Sequence, residues 1–264
     1  VRRGLVDHAD SFGSTGRYGH GDVQWLTAGR GMRHAEMFPL VETDTENTLE
    51  LFQIWLNLPS RDKTAHPHFT MIWAEEIPHL VFTDQDSRTA EITVIAGPPA
   101  GAQVPSPPPA SWAARPEADV AIWHLRLDAH ARLTLPPASN PHATRALYVF
   151  TANTLQIADV EVGNDIAVSL RPDEPVNLVA GSEPVHALML QGAPIGERVV
   201  ARGPFVMNTP EEIDRAYHDY RTTKFGGWPW PDPAPHHGTG SRRFAQYPDG
   251  HVERPVNDSP TAER

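Results

Sequence analysis

The chain has 264 residues, with 33 acidic side chains against 22 Lys and Arg and a formal net charge of −11 at pH 7. That balance excludes a basic stripe for direct nucleic-acid contact, although it leaves room for a protein partner. Cysteine is absent, so disulfides, thiolate catalysis and Cys-based zinc or iron–sulfur sites are excluded, and any transition metal must be held by His and carboxylates.

No apolar run approaches the roughly 18 residues that a membrane span needs, and no signal-peptide pattern opens the chain. The expectation is a cytoplasmic protein without membrane contact. Val1 falls directly in strand-like sequence, which leads us to expect a further segment upstream of it. Residues 21–40 read GDVQWLTAGRGMRHAEMFPL. Within them, His34 and Glu36 stand two positions apart, and on a strand such residues face the same way. An imidazole and a carboxylate can then converge on one point inside a β-barrel, which is half of a mononuclear metal site.

Strand-length runs recur along the rest of the chain: Leu49 to Leu58, Glu91 to Ala96, Val120 to Leu127, Arg145 to Phe150, Val176 to Ala180 and His186 to Gln191. Each is bounded by Gly, Pro, Asn or Asp, a pattern of sandwiches and barrels. Residues 97–116 form a proline-rich break that blocks ladder bonding and reads as a boundary. Thr209-Pro210-Glu211-Glu212 is a capping box with Pro at the first helical position. Ile213, Ala216, Tyr217 and Tyr220 then make one apolar stripe, with Gly226 and Gly227 at its end. The last dozen residues read as a poorly ordered tail, while Trp228, Trp230, Phe244 and Tyr247 are expected to dock on the body.

Five motifs, in this order, resemble the pirin family of two-domain cupins. They are Asp7-His8-Ala9-Asp10-Ser11, Gly21 to Gly31 (GDVQWLTAGRG), His34-Ala35-Glu36, Gln53 to Pro59 (QIWLNLP) with Lys63, and Gly203 to Thr209 (GPFVMNT). The resemblance spans residues 5–224, and Phe225 to Pro229 (FGGWP) is similar to the tail of longer bacterial members. It implies an all-β fold of two cupin, jelly-roll-like barrels in tandem with a C-terminal helix. The corresponding divisions are residues 1–115, the metal-site barrel; 116–203, a structural barrel; 204–224, the helix; and 225–264, a Pro/Gly-rich tail.

It further implies iron(II) held by three His and one Glu in the first barrel, with His34 and Glu36 as the second ligand pair. The first pair, a His-x-His, would lie upstream of Val1. A chain lacking that segment, a degenerate member and substitute ligands are the three readings. His66-Pro67-His68 superficially copies the missing motif but stands after the ligand strand, and His8 reads as a hydrogen-bonding neighbour rather than a ligand. Arg30 reads as a structural ion pair, Gln24 and Trp25 as barrel lining, and His236-His237 as solvated loop. His124, His130, His142 and His186 lack ligand spacing, so the second barrel reads as structural.

Function follows from the resemblance in two versions. One is an iron-dependent dioxygenase of quercetin 2,3-dioxygenase type acting on a flavonol-like substrate, with Glu36 as ligand and base and His34 as a plain ligand. The other is a non-enzymatic regulator that binds a partner protein, with a weakened or absent metal site.

Overall fold

The computed structural model describes residues 1–99 and 102–256. Chain order begins with β1 (Leu5–Asp10), β2 (Thr15–Gly19), β3 (Val23–Thr27), β4 (His34–Met37) and β5 (His68–Ile72). It continues through β6 (His79–Thr83), β7 (Thr89–Ala96), β8 (Ala121–Leu127), β9 (Arg132–Leu135) and β10 (Thr144–Thr151). Next come β11 (Leu155–Ile157), β12 (Val160–Val162), β13 (Ile166–Ser169), β14 (Val176–Ala180) and β15 (Val185–Gly192). The chain closes with β16 (Val200–Arg202), β17 (Phe205–Met207), α1 (Pro210–Thr223), β18 (Phe244–Gln246) and β19 (Val252–Glu253). The fold is a two-unit cupin built of strands with one α-helix among the described residues. None of its helices is long and apolar enough to cross a membrane.

One compact unit runs from Glu76 to Pro107 and from Trp112 to Ile195. Its six-stranded sheet has the order β13-β10-β15-β8-β7-β6 and its four-stranded sheet the order β12-β11-β14-β9. Strand alternation sends Ile92, Val94, Trp123, Leu125, Leu127, Leu147 and Met189 inward from the first sheet, against Leu133, Leu135, Leu155 and Leu178 of the second. Each such aliphatic side chain contributes about 1.5–3 kcal/mol on burial. The division falls at Glu76 rather than at the proline-rich break, because β7 pairs with β8 along its length, from Ala90 opposite Leu127 to Ala96 opposite Ile122.

The other unit gathers Val1 to Glu75, Pro108 to Ser111 and the chain from Gly196 onward. Its main sheet runs β19-β18-β2-β1-β4, with β3 and β5 forming a separate ladder. The apolar cluster here is small: Val6, Tyr18, Phe69, Met71, Trp73 and Ala245. Polar and ionisable groups are buried alongside it, among them Asp7, His8, Asp10, Arg17 and Asp22. A dry core thus marks one unit and a polar interior the other.

One expectation needs correction. Leu49 to Leu58 is not a strand; Glu50 forms an isolated bridge to Arg3 and the remainder of the run has no ladder partner. Alternating apolar residues favour extended backbone, but a strand exists only where a neighbour takes its hydrogen bonds. The aromatic residues of the tail dock on the body, as expected. β18 pairs with β2, Trp230 Nε1 donates to the Asp10 carbonyl at 2.7 Å, and the Arg33 guanidinium lies over the Trp228 ring. Of the last dozen residues, 257–264 lie outside the described range.

The helix begins as its sequence dictates: Thr209 accepts from the Glu212 N–H at 3.2 Å and Glu212 accepts in return from the Thr209 N–H at 2.9 Å. It ends slightly earlier than the glycines suggest, on Lys224 in the left-handed region.

Candidate metal centre

β1 and β4 run antiparallel, with His8 opposite Glu36 and Asp10 opposite His34. Directly opposed residues, and residues two apart on one strand, share a face. Four side chains therefore meet on one side of this ribbon. One donor atom from each of His8, His34 and Glu36 lies within 4.8 Å of the others. His34 Nδ1 stands 3.8 Å from Glu36 Oε1, and the His8 and His34 rings are 5.7 Å apart between centroids.

The cluster has a closed side and an open side. His8 and Asp10 are fully buried, whereas the side chains of His34 and Glu36 are 39% and 26% exposed. Phe69 of β5 stacks on the His8 ring at 5.4 Å. Tyr18, opposite Val6 on β2, donates its hydroxyl toward Glu36 Oε1 at 3.5 Å and Gln24 Oε1 at 3.3 Å. Burial, with Glu36 beside it, pushes the Tyr18 phenol far up, so it remains a donor.

His34 is held below its ordinary value by burial, and Glu36 only partly opposes this. The imidazole is therefore neutral at neutral pH, the form that can coordinate a metal. Burial pushes Asp10 up, yet hydrogen bonds from His8 and Ser14 outweigh it and leave the carboxyl below its usual range. Asp10 Oδ1 accepts from the N–H groups of Phe12 and Ser14 at 2.8 and 3.0 Å, and its Oδ2 lies 3.5 Å from His8 Nε2. The other nitrogen of His8, Nδ1, is buried and has no hydrogen-bond partner among the described residues. A buried polar atom left unpaired is costly and marks a missing partner.

His8 is the residue that sequence reasoning assigned to a lesser role. Its signal was present, since His8-x-Asp10 has the same spacing as His34-x-Glu36, but only the strand register shows that the two pairs face each other. His66 and His68 stand outside the cluster. The first lies with its Nδ1 2.8 Å from the Pro67 carbonyl, and the second is exposed at the start of β5. His237 is structural rather than a solvated loop residue, because its N–H donates to Asp7 Oδ2 and its ring meets Thr15 Oγ1 at 3.0 Å. His124 and His186 of the second unit stack on each other, 5.3 Å between centroids, without a third ligand among the described residues.

The turn leading into β4 depends on glycine. Gly29 has φ +50°, and a Cβ there would meet the Ala65 carbonyl oxygen at 2.1 Å. The neighbouring Arg30 anchors this turn through its backbone N–H to Ala65, and its side chain makes no ion pair among the described residues, contrary to expectation.

Comparison with known proteins bears on the family of the chain. The pirin family model matches residues 1–56, and the model of the pirin C-terminal cupin domain matches residues 122–226. A Pseudomonas aeruginosa protein that carries the provisional name of quercetin 2,3-dioxygenase is 35% identical, over 85% of this chain and 74% of its own. Human pirin is 32% identical, over 84% and 71% respectively. The crystal structure of quercetin 2,3-dioxygenase from Acinetobacter baumannii superposes with a TM-score of 0.68 at 27% identity, covering 85% of this chain and 74% of that one. With both family models matched in chain order and relatives above 30% identity along most of its length, this chain belongs to the pirin family.

Proposed function

We propose that the first unit holds a divalent metal, iron(II), through His34 and Glu36 with His8 as third donor, and that the protein oxidises a flavonol-like substrate with O₂ in the manner of a quercetin 2,3-dioxygenase. The observation that carries this reading is the convergence of one donor atom each from His8, His34 and Glu36, all within 4.8 Å of one another. Two imidazoles and a carboxylate suit iron(II), manganese or nickel better than magnesium or calcium. When bound, iron supplies Lewis acidity and the one-electron chemistry that reaction with O₂ requires.

The side chains divide the remaining tasks. Glu36 provides the anionic donor and is placed on the open side, where it would accept the proton of a flavonol hydroxyl. Tyr18 steadies it from behind. His34 is a plain donor, already neutral. Phe69 and the buried face of the ribbon keep water from the inner side, and the half-exposed outer side admits a planar substrate. The relatives named for quercetin dioxygenation support the same substrate class.

The test loads the purified chain with iron(II) under anaerobic conditions and measures bound metal, then quercetin-dependent O₂ uptake. Glu36→Gln is expected to lose turnover and to retain metal at least tenfold less tightly, in line with the 10–100-fold cost of disturbing a metal's surroundings. Protein that binds no iron at stoichiometric supply, or a Glu36→Gln variant of undiminished activity, sinks the proposal.

A second reading, a regulator that binds a partner protein, is favoured by Phe38, Leu40 and Trp55, which are 54%, 74% and 70% exposed. Exposed large apolar groups mark interaction surfaces where they form one patch. A chain that binds metal yet shows no oxygen uptake with any flavonol would favour this reading.

A further inference from the structure

The second unit encloses a charge that the metal chemistry does not use. Arg145 of β10 alternates with Leu147 and Val149, so its side chain enters the interior, and the residue is 1% exposed. Its guanidinium carbon lies 6.0 Å from the centre of the Trp123 ring. Nε, Nη1 and Nη2 are all buried, and none has a hydrogen-bond partner among the described residues. Arginine cannot escape the cost by losing its proton. A buried charge without a partner is among the most expensive features a fold can carry.

Neighbouring groups do not discharge it. Burial pushes the guanidinium down and Asp119 opposes this, but Asp119 Oδ2 accepts from the Asn140 N–H at 2.8 Å and bonds to none of the three nitrogens. Gln191 stands directly opposite Arg145 on β15. It donates Nε2 to the Asp119 carbonyl at 3.1 Å, which leaves its Oε1 buried and unpartnered. A planar fork of donors and one acceptor thus sit on opposed strands beside an aromatic ring.

We propose that Arg145 and Gln191 form a recognition site inside the second unit for a small carboxylate that carries its own hydroxyl. The carboxylate complements the guanidinium fork, the geometry at which arginine binds most strongly. The hydroxyl proton satisfies Gln191 Oε1, which a simple anion would repel. Trp123 closes one side and contributes its π face to the charge of the fork. Neither the metal nor its ligands take part, so this site stands whether or not the first unit is an oxygenase.

The experiment is thermal unfolding of the full chain in glycolate, in formate and in a bulky sulfonate at equal ionic strength, with heats of glycolate binding measured in parallel. At a hundredfold excess over Kd, glycolate is expected to raise the transition of the second unit by about 5–10 °C. Formate should raise it less and the sulfonate not at all. Arg145→Met is expected to abolish the response. Where that variant does not fold, Gln191→Glu serves: it sets a carboxylate opposite the guanidinium, so the protein should fold and no longer respond to glycolate. An unfolding temperature that is the same in all three anions means that water alone completes the site, and overturns the proposal. So does a glycolate response that persists in Gln191→Glu.

Discussion

Replacing Asp7 by Asn would test what fixes the site-bearing strand in place. Asp7 is fully buried and grips Arg17 with both oxygens, Oδ1 to Nε at 2.6 Å and Oδ2 to Nη2 at 2.7 Å. Arg17 also donates to the carbonyls of Gly238 and Gly240, and the His237 N–H donates to Asp7 Oδ2 at 2.9 Å. One ion pair therefore ties β1, β2 and the tail together, on the face of β1 opposite His8. Breaking a buried pair by removing one charge costs about 3–5 kcal/mol. The lower end applies here, because the two carbonyls still accept from the stranded guanidinium. At about 2–4 °C per kcal/mol for a chain of this size, the first unit should unfold about 6–12 °C lower.

Calorimetry reads that shift, and limited proteolysis between 228 and 243 should quicken as the strap loosens. The double replacement Asp7→Leu with Arg17→Met should recover most of the loss, since apolar substitutes remove both desolvated charges together. A single-variant cost below about 1 kcal/mol, or a double variant as damaged as the sum of its parts, would refute the reasoning.

Two further expectations concern the same unit. Thr209→Ala should lower stability by about 1 kcal/mol in urea unfolding, because the Glu212 N–H loses its acceptor; an unchanged midpoint would mean that the cap is not formed in solution. Glu197 accepts from the Ser60 N–H, the Ser60 hydroxyl and the Asn208 amide, the first of these being the main cause that holds its carboxyl below the ordinary value of 4.5. A folded-state value below the unfolded one means that the unfolded chain binds more protons under acid conditions, so this contribution is complete above pH 4.5 and fades as pH falls through the folded value. The gap in unfolding temperature between wild type and Glu197→Gln should therefore shrink on acidification below pH 4.5. A gap that stays constant contradicts that assignment.

Local signals carried much of the architecture. The capping box at Thr209 and Glu212 and the alternating runs that became β7, β8, β10, β14 and β15 encode their own conformation, so no distant partner is needed to read them. His34 and Glu36 were legible for the same reason, because a spacing of two on a strand is a local property. What escaped depended on residues far away in sequence. Leu49 to Leu58 has every strand preference but lacks a neighbour to pair with. His8 gained its place only through the register that sets it opposite Glu36, and the burial of Arg145 follows from its place on the inward face of β10. Docking of the tail aromatics could be expected from the cost of exposing them, but that Phe244 to Gln246 would pair with the open edge of β2 could not.

The scattered make-up of the unit with the candidate metal centre has a consequence for how it is made. β1 and β2 precede the ribbon that covers the edge of β2 by some two hundred residues, so that edge is made long before its cover. At about 5–20 residues per second, that strand edge stays uncovered for on the order of tens of seconds. Residues 76–195, by contrast, contribute an uninterrupted run to the other unit apart from Pro108 to Ser111, and can condense while synthesis continues. The unit that holds β1 and β2 therefore closes only after residues 76–195 have been made, and a nascent chain stalled before residue 244 would display an unpaired β edge that invites aggregation or chaperone capture.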